Sequence, residues 1–327
     1  MVSLLKSGIK IILAGVIAIM ILSGFTIIYC NSGIHITNTT GATDYKWEPR
    51  QLKTTMSEGF SWFRMDENGF NNAYPSEEKI TNLLIGSSHM EAINLSPKEN
   101  AGYLLNEMIS GYTYNIGMSG HQIYNCVRNL SDAIDEYEPS GYVFLETDTI
   151  ELDAESMKEV LNGTYPRIPS YDTGIIYWLQ KNVPAIKYLY NQVDVWRKSS
   201  GNSSVVEKES SDEYEEILRQ FLTKAQLDAS KTGAKLVIFY QPRTRIDDVG
   251  NFINITDQES LEIFKSICFE NGILFVDMTD PFTKLYDEER ILAHGFSNTA
   301  IGEGHLNKAG HKVVAEALAK AIKGESE

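Results

Sequence analysis

A Gly-Ser-Ser-His sequence near residue 85 contains the first side chains able to do chemistry. It follows the compact apolar run 82–85, which is typical of a buried strand. Gly86 permits a tight turn, and a serine at the start of the next helix lies beside backbone N–H groups that can stabilise an oxyanion. Ser87 or Ser88 could equally act only as a helix cap. The turn alone therefore leaves both a nucleophile and a cap open.

A histidine in a glycine-rich loop precedes the last helical segment of the chain. The loop reads Gly302-Glu303-Gly304-His305, and the residues that follow include Asn307, Gly310 and His311. A serine becomes an effective nucleophile when a neighbouring base accepts its proton, and histidine is the most frequent such base. Together, the two segments make residues 80–323 resemble the SGNH/GDSL hydrolase family. Gly86-Ser87-Ser88 is similar to its Gly-Asp-Ser block, and 305–311 to its closing His-x-Asn-x-x-Gly-His block.

The resemblance implies a role for each matching residue. Ser88 would be the nucleophile and His305 the base that later protonates the leaving alkoxide. The backbone N–H groups of Ser88 and of Gly117 or Gly120, in the segment 115–120, would face the oxyanion. The third block, Gly-x-Asn-Asp, appears as Leu145-Glu146-Thr147-Asp148, so the Thr147 hydroxyl replaces an amide.

The acid of the triad is less clearly marked. The family places it three residues before the histidine, where this chain has Gly302, and Glu303 is the nearest carboxylate. We therefore expect Glu303 to orient His305, with a Ser–His dyad and an acid at Asp277 or Asp280 as the alternatives.

Other polar residues could line the same site. His89 is a candidate substrate contact, with local hydrogen bonding as the alternative, and His121, at the start of a helix, is a candidate for the wall of the substrate pocket. Glu146 and Asp148 are paired by spacing, which also fits a glycosidase. No histidine or cysteine pair has metal-ligand spacing, so neither a metal nor a cofactor is expected.

Short apolar runs alternate with amphipathic segments along most of the chain. The runs resemble strands buried on both faces, and they lie at residues 82–85, 141–145, 235–240 and 272–276. The helical patterns lie at residues 100–109, 121–137, 213–232, 257–271 and 308–323. This alternation predicts a three-layer α/β/α fold with a mostly parallel, flavodoxin-like sheet. We expect that domain at 79–327, with an aromatic-rich insertion at about 150–211, and a polar stalk and entry segment at 31–78.

The N-terminus predicts a membrane anchor at residues 1–30. Residues 11–29 carry no charge and would span about 28 Å as a helix, enough for a bilayer core. Lys6 and Lys10 precede them, and the next basic residue is Lys46, which places the N-terminus in the cytoplasm. A cleaved signal peptide is the alternative.

The net charge of the chain is −15, and the first 30 residues carry +2 from Lys6 and Lys10, so residues 31–327 carry −17. This acidity argues against nucleic acid as a partner.

These features together predict an extracytoplasmic serine esterase or O-acyl transferase, held in the cell membrane by one helix. Its expected substrate is a small acyl ester, such as an O-acetyl group of cell-surface glycan. Two alternatives are a degenerate SGNH-like domain that binds carbohydrate or a membrane partner, and a membrane-tethered structural protein. The last predicts that Ser88 and His305 lie far apart.

Overall fold

The computed structural model describes residues 2–29, 33–73, 79–169, 174–186, 211–242, 244–247 and 249–324. The strands in these ranges are β1 (His35–Thr37), β2 (Tyr45–Trp47), β3 (Leu52–Thr55), β4 (Ser61–Arg64), β5 (Ile80–Ile85), β6 (Tyr112–Asn115), β7 (Tyr142–Thr147), β8 (Lys235–Tyr240), β9 (Thr244–Ile246), β10 (Phe252–Asn254) and β11 (Leu274–Asp277). The α-helices are α1 (Val2–Tyr29), α2 (Ser88–Glu91), α3 (Ala101–Asn106), α4 (Ile123–Tyr137), α5 (Ala154–Leu161), α6 (Gly174–Asn182), α7 (Ser211–Ala229), α8 (Gln258–Glu270), α9 (Thr279–Glu289) and α10 (Lys308–Gly324).

Five strands form the central parallel sheet, in the order β11-β8-β7-β5-β6. In chain order this is 2-1-3-4-5, the flavodoxin-like arrangement, so the predicted fold class is confirmed. The order reverses beside β5, and ligands of such sheets bind beyond the carboxyl ends of the strands at this point. The Gly-Ser-Ser turn follows β5 directly. The strand missed from the sequence is β6, whose Tyr-Thr-Tyr-Asn sequence is fully buried but has no apolar run.

Alternate side chains of the sheet pack into two separate cores. On one face, Leu83 and Ile85 pack with residues of α4, α7 and α8. On the other face, Leu84 and Phe144 pack with α3, α9 and α10. Five of the helices that cover the sheet, namely α3, α4, α7, α8 and α10, correspond to the five helical patterns predicted from the sequence, with ends that differ by a few residues. Helix α9 was not predicted. The three layers bring the polar ends of β5 and β7 to one edge of the sheet.

The segment at 31–78, expected to be a stalk and entry segment, instead folds onto the domain wherever the structure describes it. It forms two antiparallel hairpins, β1–β2 and β3–β4. Trp47, Met65 and Phe70 belong to the main core and are at most 4% exposed. The polar composition suggested a stalk because aromatic residues that anchor the segment are widely spaced among threonines and asparagines. Burial of these aromatics makes the segment part of the domain.

The N-terminal helix α1 is long and apolar enough to cross a membrane. The qualifying stretch is Lys6–Ile28, 23 residues with a mean hydropathy of 2.7, of which 6% is buried against the rest of the protein. A membrane anchor and a signal sequence both have these properties. Helix α1 joins the domain at its C-terminal end, where the Thr54 hydroxyl donates a hydrogen bond to the Ile27 carbonyl at 2.9 Å.

The predicted insertion is described only in part. Helix α5 packs on α7, and Met157 and Val160 are buried in the main core. Helix α6 exposes Ile175 and Trp178. Tyr188, Tyr190, Trp196 and the serine-rich stretch at 199–204 lie outside the described residues.

Replacing Phe70 by alanine tests whether the 31–78 segment is integral to the fold. Phe70 is 1% exposed and packs edge-to-face on Tyr114, with ring centroids 6.1 Å apart. We expect Phe70→Ala to lower the free energy of unfolding by about 3–5 kcal/mol. Chemical denaturation of the full chain in detergent measures this loss. The control Phe269→Ala, at a side chain that is 83% exposed, should change it by less than about 0.5 kcal/mol. Equal stability of the two variants would contradict the packed arrangement.

Candidate active site

The turn after β5 places Ser88 at the first position of the short helix α2. Ser87 is the cap, and its Oγ accepts a hydrogen bond from the His89 N–H at 3.2 Å. Ser87 therefore takes the role of helix cap, and Ser88 is left as the candidate nucleophile. The Ser88 hydroxyl makes no hydrogen bond within the described part of the chain, and it is half-buried. It remains available to a substrate.

Glu146, at the carboxyl end of β7, supports this turn from below. Its carboxyl oxygens accept hydrogen bonds from the Ser87 N–H at 2.6 Å, the Ser87 hydroxyl at 3.1 Å and Gln241 Nε2 at 2.8 Å. Gly86 allows this approach, because a Cβ there would lie 2.3 Å from Glu146 Oε2. Burial raises the pKa of the Glu146 carboxyl to about 8, against these hydrogen bonds. Fully enclosed in this way, Glu146 positions the serine turn and has no access to a sugar substrate.

His305 is paired with a carboxylate from the other end of the chain. Its Nδ1 lies 2.5 Å from Glu58 Oε2, and its backbone N–H donates to Glu58 Oε1 at 2.7 Å. The sequence analysis named Glu303 for this place, and the structure corrects that expectation: Glu303 is exposed, and Glu58 occupies the Nδ1 side of the ring. A carboxylate on Nδ1 fixes the tautomer that leaves Nε2 as the proton acceptor.

The loop that carries Glu58 joins β3 to β4 and is held in place by Asn298. The Asn298 Oδ1 accepts from the Gly59 N–H at 2.8 Å, and its Nδ2 donates to the carbonyls of Met56 and Gly59 at 2.9 and 3.0 Å. Gly304 permits the close approach of the two loops, since it has φ +82° and a Cβ there would lie 2.3 Å from Glu58 Oε1. Glu58 is therefore fixed by contacts on both sides.

His89 connects the serine turn to the histidine loop. Its Nδ1 accepts from the Leu306 N–H at 3.2 Å, and its ring centroid lies 5.5 Å from those of His294 and His305. Since His89 follows Ser88 in the chain, this contact holds the serine turn next to the loop that carries His305. Burial and the neighbouring histidines hold the pKa of His89 well below its usual value. Burial lowers the pKa of His294 to about 4 for the same reason. Both rings are thus neutral at pH 7.

Of the four expected oxyanion donors, two already make hydrogen bonds within the protein. The Gly117 N–H already donates to Asn115 Oδ1 at 2.9 Å, and the Thr147 hydroxyl donates to the Thr149 carbonyl. These contacts correct the roles expected for Gly117 and Thr147, because a group that is already bonded inside the protein is not free for substrate. The Gly120 N–H has no partner among the described residues, and Gly120 is exposed with φ +76°.

His121 lies in a buried polar cluster rather than in a pocket wall. It is 3% exposed, and its Nε2 accepts from the Asp44 N–H at 3.1 Å. Burial lowers the pKa of the His121 imidazole, opposed by the charge of Asp44. The Asp44 carboxylate in turn accepts hydrogen bonds from Arg128 and from the Ile168 N–H. His121 therefore fastens the β1–β2 hairpin to the domain.

The spacing of the closing block, residues 305–311, has a structural explanation in this chain. Asn307 caps α10, since its Oδ1 accepts from the N–H groups of Ala309 and Gly310 at 3.0 and 3.1 Å. Its amide donates to the carbonyls of Leu292 and Gly295, which shapes the loop before His305. His311 is completely buried, and its Nδ1 accepts from the Ala101 N–H at 3.2 Å. Among the described residues, no group of three or more His, Cys, Asp or Glu side chains has a geometry suited to a metal ion.

Glu58 is the site residue that sequence reasoning missed. It lies 247 positions from His305, so no local spacing relates the two. The available signal is a hairpin pattern, in which the strand-like segments 52–55 and 61–64 flank Ser57-Glu58-Gly59. That pattern identifies an acid at a loop tip but gives no indication of where the loop packs.

Comparisons with known proteins give a likeness of fold only. No protein-family model matches the chain, and no curated protein matches it. Among solved structures, it is similar to a member of the lipolytic protein G-D-S-L family from Veillonella parvula, at 15% identity over 74% of this chain and 97% of that one, with a TM-score of 0.42. It is similar to an acetyl xylan esterase at 16% identity over 74% and 99% of the two chains, with a TM-score of 0.40. A psychrotrophic esterase from Pseudoalteromonas sp. is similar at 15% identity over 75% and 98%, with a TM-score of 0.37. Identities and TM-scores this low establish neither a family nor an activity.

The raised pKa of Glu146 predicts a pH dependence of stability that glutamine would remove. The folded chain keeps a proton at Glu146 that the unfolded chain releases between its ordinary pKa of 4.5 and about 8. The stability due to this group is therefore complete below pH 4.5 and declines as the pH rises to 8. We expect the unfolding free energy of the wild type, minus that of Glu146→Gln, to fall by up to about 1.4 kcal/mol per pH unit in this window. Urea titrations of both proteins at a series of pH values measure this difference. Titratable groups that the two proteins share, such as His294, contribute equally to both and cancel in the difference. Parallel curves would show that Glu146 is ionised in the fold.

Proposed function

We propose that the protein is a serine hydrolase or acyl transferase that acts on small esters. The observation that carries this proposal is the Glu58–His305 contact, formed beside a serine turn whose nucleophile candidate has a free hydroxyl. A carboxylate, an imidazole and an unengaged serine hydroxyl are the three groups that nucleophilic acyl transfer requires.

The proposed reaction begins with proton transfer from Ser88 to Nε2 of His305. Glu58 accepts the Nδ1 proton in a hydrogen bond, orients the ring and stabilises the imidazolium that forms. Ser88 Oγ attacks the ester carbonyl, and the backbone N–H groups of Ser88 and Gly120 are the available oxyanion donors. His305 then protonates the leaving alkoxide, which gives an acyl-Ser88 intermediate. Attack by water completes hydrolysis, and attack by a second alcohol completes transfer.

The proposed location is the outer surface of the cell membrane. Helix α1 supports an uncleaved anchor, and Lys6 and Lys10 before it, with no basic residue until Lys46, support a cytoplasmic N-terminus. An ester hydrolase facing outwards from a membrane would meet acylated surface carbohydrate, so we propose O-acetyl groups of cell-surface glycan as its substrate. The exposed Trp178 offers a surface on which a sugar ring can stack.

A second candidate function is a degenerate SGNH-like domain that binds carbohydrate or a membrane partner without turnover. The observation that favours it is the oxyanion side of the site, where the Gly117 N–H and the Thr147 hydroxyl are both bonded within the protein. Losing one such donor typically slows an acyl-transfer enzyme by about 10²- to 10³-fold. The two candidates differ in whether Ser88 reacts.

A fluorophosphonate probe on the full chain in detergent distinguishes these functions. We expect the wild type to be labelled, Ser88→Ala to remain unlabelled, and Glu58→Gln to be labelled about 10²- to 10⁴-fold more slowly, because His305 loses its charged partner. The matched control is Glu303→Gln, at the exposed carboxylate of the same loop, which should react at the wild-type rate. Absence of labelling in the wild type would reject the enzyme and favour the binding domain. A slow Glu303→Gln with a normal Glu58→Gln would reverse the assignment of the acid.

A further inference from the structure

The β3–β4 hairpin has two faces of opposite character. Residues that alternate along a strand share one face, and residues directly opposite each other on paired strands share a face as well. Lys53, Thr55 and Ser61 face the domain and are at most 3% exposed. On the other face, Phe60 and Trp62 are 67% and 69% exposed, whereas Thr54 is 2% exposed. A small hairpin thus presents two large aromatic side chains outwards, next to the loop that carries the acid of the site.

The outward face of the hairpin is attached to the end of the membrane helix. The Thr54 hydroxyl donates to the Ile27 carbonyl, one residue before the apolar stretch ends at Ile28. Trp62 is the direct partner of Thr54 across the hairpin, so their Cβ atoms are about 4.5–5.5 Å apart. Trp62 therefore lies beside the point where α1 would leave the hydrocarbon layer.

The chemistry of this face fits the boundary between lipid and water. Tryptophan is enriched at membrane interfaces, because its ring is apolar and its indole N–H is polar. The charge is also suitable, since residues 33–73 contain four basic and five acidic residues, whereas the chain beyond the anchor carries −17. The segment nearest the membrane is thus almost neutral, and an anionic surface would not repel it.

We propose that the outward face of the β3–β4 hairpin lies in the headgroup layer, and that the site acts on an ester of a molecule anchored in the same membrane. The second half rests on the proposed function. Glu58 lies four positions after Thr54, which limits their Cα distance to about 14 Å. The headgroup layer of one leaflet is about 5–8 Å thick. The Glu58–His305 pair is therefore within reach of an ester group that projects from a lipid.

Activity on two substrates tests the proposal in the full chain reconstituted into phosphatidylcholine vesicles. The first is p-nitrophenyl acetate in solution, and the second is an acetyl ester of a diacylglycerol within the vesicles. We expect the double variant Phe60→Ser/Trp62→Ser to hydrolyse the lipid ester at least tenfold more slowly than the wild type does. Its rate on p-nitrophenyl acetate should stay within twofold of the wild-type rate. The matched control is Phe269→Ser, at an exposed aromatic residue near the end of α8 and the start of β11, at the opposite edge of the sheet. It should leave both rates unchanged.

A measurement without turnover separates the surface from the enzyme. The fluorescence of Trp62 is obtained as the fluorescence of the wild type minus that of Trp62→Phe. In vesicles of brominated phosphatidylcholine, we expect it to be at most half of its value in unbrominated vesicles. Quenching without hydrolysis of either substrate would reject the proposed function and leave the membrane-bound face intact. Hydrolysis of p-nitrophenyl acetate alone by the wild type would overturn the lipid-anchored substrate. Unquenched Trp62 would overturn the membrane contact, and dissociation of a dimer by the double variant would then assign the face to a second copy of the chain.

Discussion

The hydrogen bond between Glu58 and His305 joins residues 247 positions apart, and most of the site's architecture serves to make it possible. A contact this distant in sequence stabilises only if both loops are already ordered, since otherwise it must offset their conformational entropy. The Asn298 amide fastens the loop of Glu58 by three hydrogen bonds, and Asn307 shapes the loop before His305. The N-terminal hairpins must therefore fold on the α/β domain before the site is complete.

A buried polar centre under α2 makes that attachment specific. Glu91 accepts hydrogen bonds from Trp47 Nε1 at 2.6 Å and from the Ser119 N–H at 3.1 Å, and it lies near the buried ammonium of Lys53, which also stacks 3.6 Å from the Trp47 ring. Burial raises the pKa of Glu91, while these hydrogen bonds and Lys53 oppose the rise. An unpaired charge here would cost several kcal/mol, so the hairpins and the 117–120 loop have one favourable arrangement around α2. The same side chain thus links the N-terminal segment, the serine turn and the loop that supplies Gly120.

The sequence predicts the parts of this molecule that depend on local pattern. Buried strands with both faces apolar identified four of the five sheet strands, and the serine turn and His305 follow from residues adjacent to such elements. It could not identify Glu58 or the role of Glu91, because both depend on where a hairpin packs and not on any spacing along the chain. The same limit explains the wrong predictions for Thr147 and Gly117. The Thr147 hydroxyl donates to the Thr149 carbonyl, and the Gly117 N–H donates to Asn115, so neither is free for substrate. Tertiary hydrogen bonding decides which candidates remain free.

The acidity of the chain has a different meaning once the N-terminal hairpins are part of the domain. With a stalk, a charge of −17 would hold the whole domain away from an anionic membrane. In the structure, almost all of that charge lies beyond residue 73, while the hairpin beside the helix is close to neutral. Screening at physiological salt limits charge repulsion to about 8 Å, so the bulk of the domain is repelled only when it tilts towards the surface. The membrane would repel the acidic residues beyond 73, and the nearly neutral hairpin would contact it. Both effects favour the same orientation of the domain, with the Glu58 loop nearest the membrane.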